Sequence, residues 1–187
     1  GQLGTGQRAW PDELEEELGF ERSKALFDMA ENAKRYLLDF AEQHGIDIDY
    51  LPGQMNVAHK AKYAGEYRRS AEIMAARYNY PHVAFMERDE TRQRLGSNRY
   101  HCGVRDTGTG HIHPLKLLVG LARVAAGAGA RIHEMTPASA IRQASGKTLI
   151  DTPKGTITAD RVLIATNAYI GNLEPVTAAH VMPIRSF

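Results

Sequence analysis

Four side chains able to ligate a metal or carry a proton crowd the middle of this chain. They are His101, Cys102, His111 and His113, with Asp106 between them. On a strand, His111 and His113 would share a face, because side chains alternate. A metal centre needs further ligands and a supporting shell. The spacing fits no established zinc pattern, so no metal is expected. His113 ahead of Pro114 suits the start of a helix better, since proline's missing N–H is not needed there. Cys102 would need a base and a lowered pKa to act as a nucleophile, and a buried, unreactive thiol is the expectation. Neither a G-x-S-x-G elbow nor a Walker loop occurs, so hydrolase and NTPase chemistry have no site here.

The elements that would carry these residues follow from period and punctuation. Residues 1–11 read as loop, and 12–17 as a possible acidic helix start. Ser23 is placed as the cap of an amphipathic helix whose stripe is Leu26, Met29, Ala30, Ala33, Leu37, Phe40 and Ala41, ending at His44-Gly45. Two short strands, 48–51 and 54–58, flank a turn at Pro52-Gly53. A helix over 60–78 and a strand over 82–86 follow. Next comes a polar helix over 87–95, acidic first and stopped by Gly96. A strand over 98–106 then leads to a turn at Gly108-Thr109-Gly110. The helix begun by Pro114 is apolar on two sides, which predicts cover on two sides. Beyond Gly127 and Gly129 the pattern predicts a strand over 130–134 and a meander of 139–143, 148–152 and 155–159, with turns at Ser145-Gly146 and Pro153-Lys154. Residues 162–165 read as a short apolar strand buried on both faces.

Composition narrows the class. The chain has 187 residues, with 23 basic against 22 acidic side chains and a formal charge of +1. That balance offers no case for nucleic acid or an anionic surface. One cysteine allows no intrachain disulfide and fits a reducing, cytoplasmic setting. No run of about 18 apolar residues is present, so no membrane span is expected. The opening Gly1-Gln2 and the stop at Phe187 suggest a piece of something longer.

The residues G-H-I-H-P-L-K-L, then G-L-A-R-V-A-A-G-A-G-A-R-I-H-E-M-T-P-A-S-A-I, then T-P-K-G-T-I-T-A-D-R-V-L-I-A-T-N-A-Y carry a resemblance. They resemble the D-amino-acid-oxidase-like family of FAD-dependent oxidoreductases, nearest its amine-oxidising members of the γ-glutamylputrescine oxidoreductase type. The opening G-Q-L-G-T-G-Q-R is similar to the segment after that family's flavin-linked start. The resemblance implies α+β architecture: mixed sheets flanked by helices, from the middle of a two-domain flavoprotein. Residues 1–106 would be mostly substrate domain and 107–175 a partial FAD-binding domain. Residues 176–187 would return towards the substrate domain, with Pro183 to Phe187 matching the middle of the family's chain.

The same resemblance implies site residues. Gly1, Gln2 and Leu3 would lie by the flavin ring. Thr136, Pro137 and Ala138 would grip the adenine through backbone groups. Ala165, Thr166 and Asn167 would stand near the pyrophosphate, where small residues allow close approach. Tyrosines outnumber the other aromatics, and those at 50, 63, 67, 78, 80 and 100 fall in the implied substrate domain. Ring faces suit a cationic amine, although core packing explains Tyr63 and Tyr67 equally well. Tyr100 and His101 are the expected pocket-lining pair. The chain departs from the family in lacking G-x-G-x-x-G: Gly1-Gln2-Leu3-Gly4-Thr5-Gly6 has other spacing and no strand before it. The implied FAD site is therefore incomplete, and the chain alone is expected to bind FAD weakly and to be inactive. The implied partner is a small-molecule amine, and the implied reaction is C–N oxidation with hydride transfer to flavin. Alternatives are a non-catalytic binding or scaffold domain, and a dehydrogenase or sarcosine- or glycine-type oxidase.

Overall fold

A computed structural model describes residues 1–182; the segment from Pro183 to Phe187 lies outside the described residues. The chain divides into two compact units, the first ending at Ala130 and the second starting at Arg131. Both are built from antiparallel strand pairs, and helices pack in the first, so the α+β class holds.

In the first unit, β4 (Cys102–His111) is the axis. It pairs with β2 (Leu51–Ala58) along one edge. Along the other edge it pairs with β3 (Val83–Met86) and then, near its end, with β1 (Gln2–Leu3). Two expectations fail here. The opening residues are not all loop, because Gln2 and Leu3 pair with His111 and Gly110. Gly108-Thr109-Gly110 is not a turn either, because β4 runs through it. Pro52 pairs with Gly110 and Gln54 with Asp106, so residues 107–109 of β4 stand opposite Gly53 alone. Glycine in a strand often marks such a bulge. Gly53, at φ 104°, takes the kink in β2, so 51–58 is one bent strand where two had been expected.

Five helices surround this sheet. α1 (Pro11–Leu18) starts on proline, and α2 (Phe20–Gln43) follows after Gly19. Ser23 does not cap α2: it is fully buried in the first turn, where its Oγ donates to the Pro11 carbonyl and meets the Tyr78 hydroxyl at 2.7 Å. The end of the expected stripe holds, with Ala41 buried and Leu37 and Phe40 packed beside it, but earlier in α2 the buried face shifts to Ser23, Phe27 and Lys34, and Met29 is exposed. Phe27 sets that face by packing edge-on against both Tyr78 and Tyr80. A 3-10 turn at Ala61–Tyr63 leads into α3 (Ala64–Ala76). α4 (Arg88–Leu95) has acids first, bases last and a left-handed Gly96 behind it, as its sequence predicts. α5 (Pro114–Gly127) buries Gly120 and packs Leu117 and Val124 on a cluster of Ala41, Ile46, Ile48 and Ile112. Its second apolar side is open, with Leu115, Leu118 and Val119 about 60% exposed.

In the second unit, β5 (Ala140–Ala144), β6 (Lys147–Thr152) and β7 (Gly155–Ala159) form the expected meander. Ser145 and Gly146 both have positive φ, the backbone of a tight hairpin turn. The strands expected over 130–134 and 162–165 are absent. Both segments lie outside any sheet among the described residues, and Leu163 is 89% exposed where full burial had been predicted. A strand exists only with a hydrogen-bonded neighbour, and apolar composition cannot provide one. The unit closes with a 3-10 turn, Asn167–Tyr169, and a short helix, α6 (Pro175–Ala179).

Candidate functional site

The C-terminal end of β4 brings the first three residues against the start of α5. Gly1 and Ile112 exchange two bonds: the Gly1 nitrogen donates to the Ile112 carbonyl at 2.7 Å, and the Ile112 N–H donates to the Gly1 carbonyl at 2.9 Å. A Cβ on Gly1 would meet Pro114 Cγ at 3.0 Å, so the backbone lies directly on the helix start. Leu3 packs on the Ile46–Ile48–Ile112 cluster, while Gly1 and Gln2 are exposed. His113 caps α5, its Nδ1 accepting the Lys116 N–H at 3.4 Å. Lys116 is poorly placed for the helix dipole, and two carboxylates offset this: Asp49 at 2.5 Å and Asp47 at 3.5 Å. The hydrogen bond from the Asp49 N–H, then Lys116, lowers the Asp47 pKa; the bond to Asp49 raises that of Lys116. Gly110 is glycine for want of room, since a Cβ would stand 2.5 Å from the Leu51 carbonyl oxygen and the Tyr50 ring.

The bulge in β4 is braced from both sides. Asp106 Oδ1 accepts the Gly108 N–H at 2.8 Å and the Tyr80 hydroxyl at 2.8 Å. Thr107 donates its N–H to the His82 carbonyl at 3.0 Å. The Tyr80 hydroxyl also meets Thr5 Oγ1 at 2.7 Å, and Thr5 Oγ1 accepts from Lys34 Nζ at 2.9 Å. Lys34 is buried, paired with Glu31 at 2.8 Å, and sits 5.5 Å from the Tyr80 ring centre. Burial raises the Tyr80 pKa strongly; the bond from Thr5 opposes this and the bond to Asp106 adds to it. Periodicity placed Lys34 outside the apolar stripe of α2, and only its neighbours explain its burial. The one sequence signal was Gly108-Thr109-Gly110, which overlaps the bulge and looks the same as a turn.

Tyr100 and His101 stand elsewhere. They precede β4 and do not lie on it, half-buried, with the His101 N–H donating to the Ala58 carbonyl at 2.9 Å. The ten residues of β4 separate them from Gly1–Leu3, which at about 3.3 Å per residue is roughly 30 Å. The structure does not bring these two groups together. Cys102, beside His101, is buried, and burial raises its thiol pKa, as suits an inert cysteine. Among the described residues no group of three His, Cys, Asp or Glu side chains could hold a metal ion.

In the second unit, Thr136, Pro137 and Ala138 form the approach to β5. Thr136 Oγ1 donates to the Glu134 carbonyl at 2.8 Å. Met135, just before, is left-handed (φ 50°) and 89% exposed. Ala165 and Thr166 lead into the 3-10 turn, where the Tyr169 N–H donates to the Thr166 carbonyl at 3.0 Å, and Asn167 has φ 50°. Among the described residues, the backbone of 136–138 makes no hydrogen bond to other backbone, leaving donors and acceptors free for a ligand's edge. That fits the backbone grip expected of an adenine site. The phosphate loop has no counterpart in the chain, so the groups present suit only part of FAD. The start of β5 pairs with the end of β6, and the end of β7 with the start of β6. The two turns therefore join the meander at opposite ends, and the meander by itself does not bring them together.

Comparisons with known proteins agree on the family. The family model described as DAO, FAD dependent oxidoreductase, matches residues 1–187. A probable oxidoreductase OrdL of Rhizobium meliloti (strain 1021) is 64% identical over 187 residues, all of this chain and 44% of its own length. The gamma-glutamylputrescine oxidoreductase of Escherichia coli (strain K12) is 29% identical over 98% of this chain and 43% of its own. Among solved structures, glycine oxidase from Geobacillus kaustophilus superposes with a TM-score of 0.68 at 26% identity, over 92% of this chain and 45% of that one. The chain thus spans less than half the length of the relatives it matches. The family match covers the whole chain and the α+β architecture agrees with it: the chain belongs to the DAO family of FAD-dependent oxidoreductases.

Proposed function

We propose that the protein containing this chain oxidises the C–N bond of a small amine or amino acid, and that this chain forms part of its flavin site. The observation carrying the proposal is the fixed placement of Gly1–Leu3 as an edge strand against the start of α5, the segment that the resemblance puts beside the flavin ring. Two similar proteins are named for nitrogen-bearing molecules, gamma-glutamylputrescine and glycine. FAD, when bound, supplies the two-electron acceptor. The chain's own residues position and exclude. Gln2 presents an exposed amide at the strand edge, and Leu3 closes the core behind it. The backbone of Thr136, Pro137 and Ala138 offers donors and acceptors to the adenine, and Ala165, Thr166 and Asn167 approach the pyrophosphate. Tyr100 and His101 remain our substrate-side pair, at the other end of β4. Cytoplasmic polyamine or amino-acid breakdown is the setting we infer.

The test uses the full-length protein. It should purify with a flavin spectrum and turn over at least one member of a panel of polyamines, glutamylated amines, glycine and sarcosine. Peroxide detection beside a dye acceptor separates oxidase from dehydrogenase. A colourless, inactive full-length protein would instead favour a binding or scaffold domain that keeps only the fold. Residues 1–187 alone should bind FAD at least about a hundredfold more weakly than the full-length protein, because the anion contacts of a phosphate loop are missing. A tight yellow complex of the isolated chain would overturn the partial-site reading. Raised KM with unchanged kcat in His101→Ala would support the pair at Tyr100; an unchanged KM would remove it.

A further inference from the structure

The hydrogen bonds around Thr5 can be oriented by counting protons. Lys34 is a cation and only donates, so Thr5 Oγ1 accepts from it at 2.9 Å. The Tyr80 hydroxyl has one proton, and that proton goes to the Asp106 carboxylate at 2.8 Å. In the remaining contact, Thr5 to Tyr80 at 2.7 Å, Thr5 must therefore be the donor. The chain thus runs one way, from ammonium through two hydroxyls to carboxylate. Each hydroxyl both accepts and donates, an arrangement in which neighbouring bonds strengthen one another. Its start lies on α2, its end on the β4 bulge, and its middle link on the opening segment. Gly6 and Gln7 extend the attachment: Gly6 passes over the Phe27 ring, and Gln7 Nε2 donates to the Leu26 carbonyl at 2.9 Å.

We propose that Thr5 is a positioning residue for the flavin site. Its oriented chain from Lys34 to Asp106 clamps residues 1–6 between α2 and the bulge, and so fixes where Gln2 and Leu3 stand. Only Gly4 separates Leu3 from Thr5, so a loosened Thr5 is felt directly at β1. The functional half of this inference rests on the flavin reading above. The placement half does not.

Two measurements on the full-length protein separate those halves, using Thr5→Val, Thr5→Ser and Tyr80→Phe. Valine keeps threonine's volume and removes the hydroxyl; phenylalanine keeps the packing of Tyr80 on Phe27. First, amide exchange of residues 2–6 should speed about tenfold in Thr5→Val and Tyr80→Phe, as expected for losing roughly one bond to a charged network, and return to the wild-type rate in Thr5→Ser. Unchanged exchange in Thr5→Val overturns the clamp whether or not the protein holds a flavin. Second, the flavin absorption band should shift and the Kd for FAD rise about tenfold in Thr5→Val, with Thr5→Ser restoring both. Faster exchange with an unmoved flavin spectrum and Kd overturns the positioning role while leaving the clamp intact. Faster exchange in a full-length protein that binds no flavin at all instead removes the flavin reading, and the role of Thr5 with it.

Discussion

The two units solve the problem of burial differently. Among the described residues, every buried apolar side chain except Ile170 lies in the first unit, as do the buried polar groups except Thr148. Two clusters hold that unit together, one of Ala41, Ile46, Ile48 and Ile112 and one of Phe27, Tyr78 and Tyr80. Even its buried cation is paired, and among the described residues no buried side-chain polar atom lacks a partner. In the second unit, the meander is held by ladder bonds and by Arg142 reaching Asp151 from the neighbouring strand, with Nε at 2.8 Å. Several of its large apolar residues, among them Ile132, Met135, Val162, Leu163 and Tyr169, are exposed. The contrast teaches that sheet pairing and apolar content do not amount to a core. A core needs a second layer facing the first, and within the first unit helices such as α2 and α5 provide one for the sheet β1–β4.

Mutations can break this comparison, beginning where the effect should be largest. Phe27→Ala deletes a ring that is 4% exposed and edge-packed on two tyrosines. It should cost about 4 kcal/mol in chemical unfolding of the first unit. Gly110→Ala should cost about 3 kcal/mol, because the Leu51 carbonyl is backbone and cannot move aside. A near-neutral result for either would mean that the β4 cluster is looser than its geometry.

Leu163→Ser tests the other side. In this chain it should change stability by less than about 0.5 kcal/mol, the ordinary range for a surface site. A loss above about 1 kcal/mol would show that something covers Leu163, and the contrast between the units would fall.

The smallest effect concerns pH. The bonds from Arg142 and then Thr156 hold the Asp151 carboxyl below its ordinary value of 3.8. A depressed carboxylate stabilises the folded state above the unfolded pKa, and that contribution fades as pH falls through the lower folded value. The meander's acid transition should therefore begin below pH 3.8, and Asp151→Asn should remove its dependence in that window. Circular dichroism against pH checks this; an identical acid profile in the variant would show that the Arg142 pair carries no weight.

What the sequence determined by itself was whatever a few neighbouring residues can enforce. Gly96 stopped α4, Pro114 began α5, and Ser145-Gly146 made a hairpin, because caps, proline and left-handed turns act within one turn of chain. The family resemblance was also legible, since it rests on the order of such local signals. Tertiary structure alone decided what depends on distant partners. Gly108-Thr109-Gly110 became part of a bulged strand and not a turn because β2 pairs with Gly110 and Tyr80 holds Asp106 just before it. Residues 162–165 made no strand because no neighbour pairs with them among the described residues. Lys34 was buried because Glu31, Thr5 and Tyr80 surround its charge. For the candidate site, the sequence could only name residues; how they are grouped was decided by the fold. Nothing local told that Gln2 would join His111 while His101 stood just before the other end of β4. Which strand lies beside which depends on residues far apart in the chain, so the grouping of the site arises only when the chain folds.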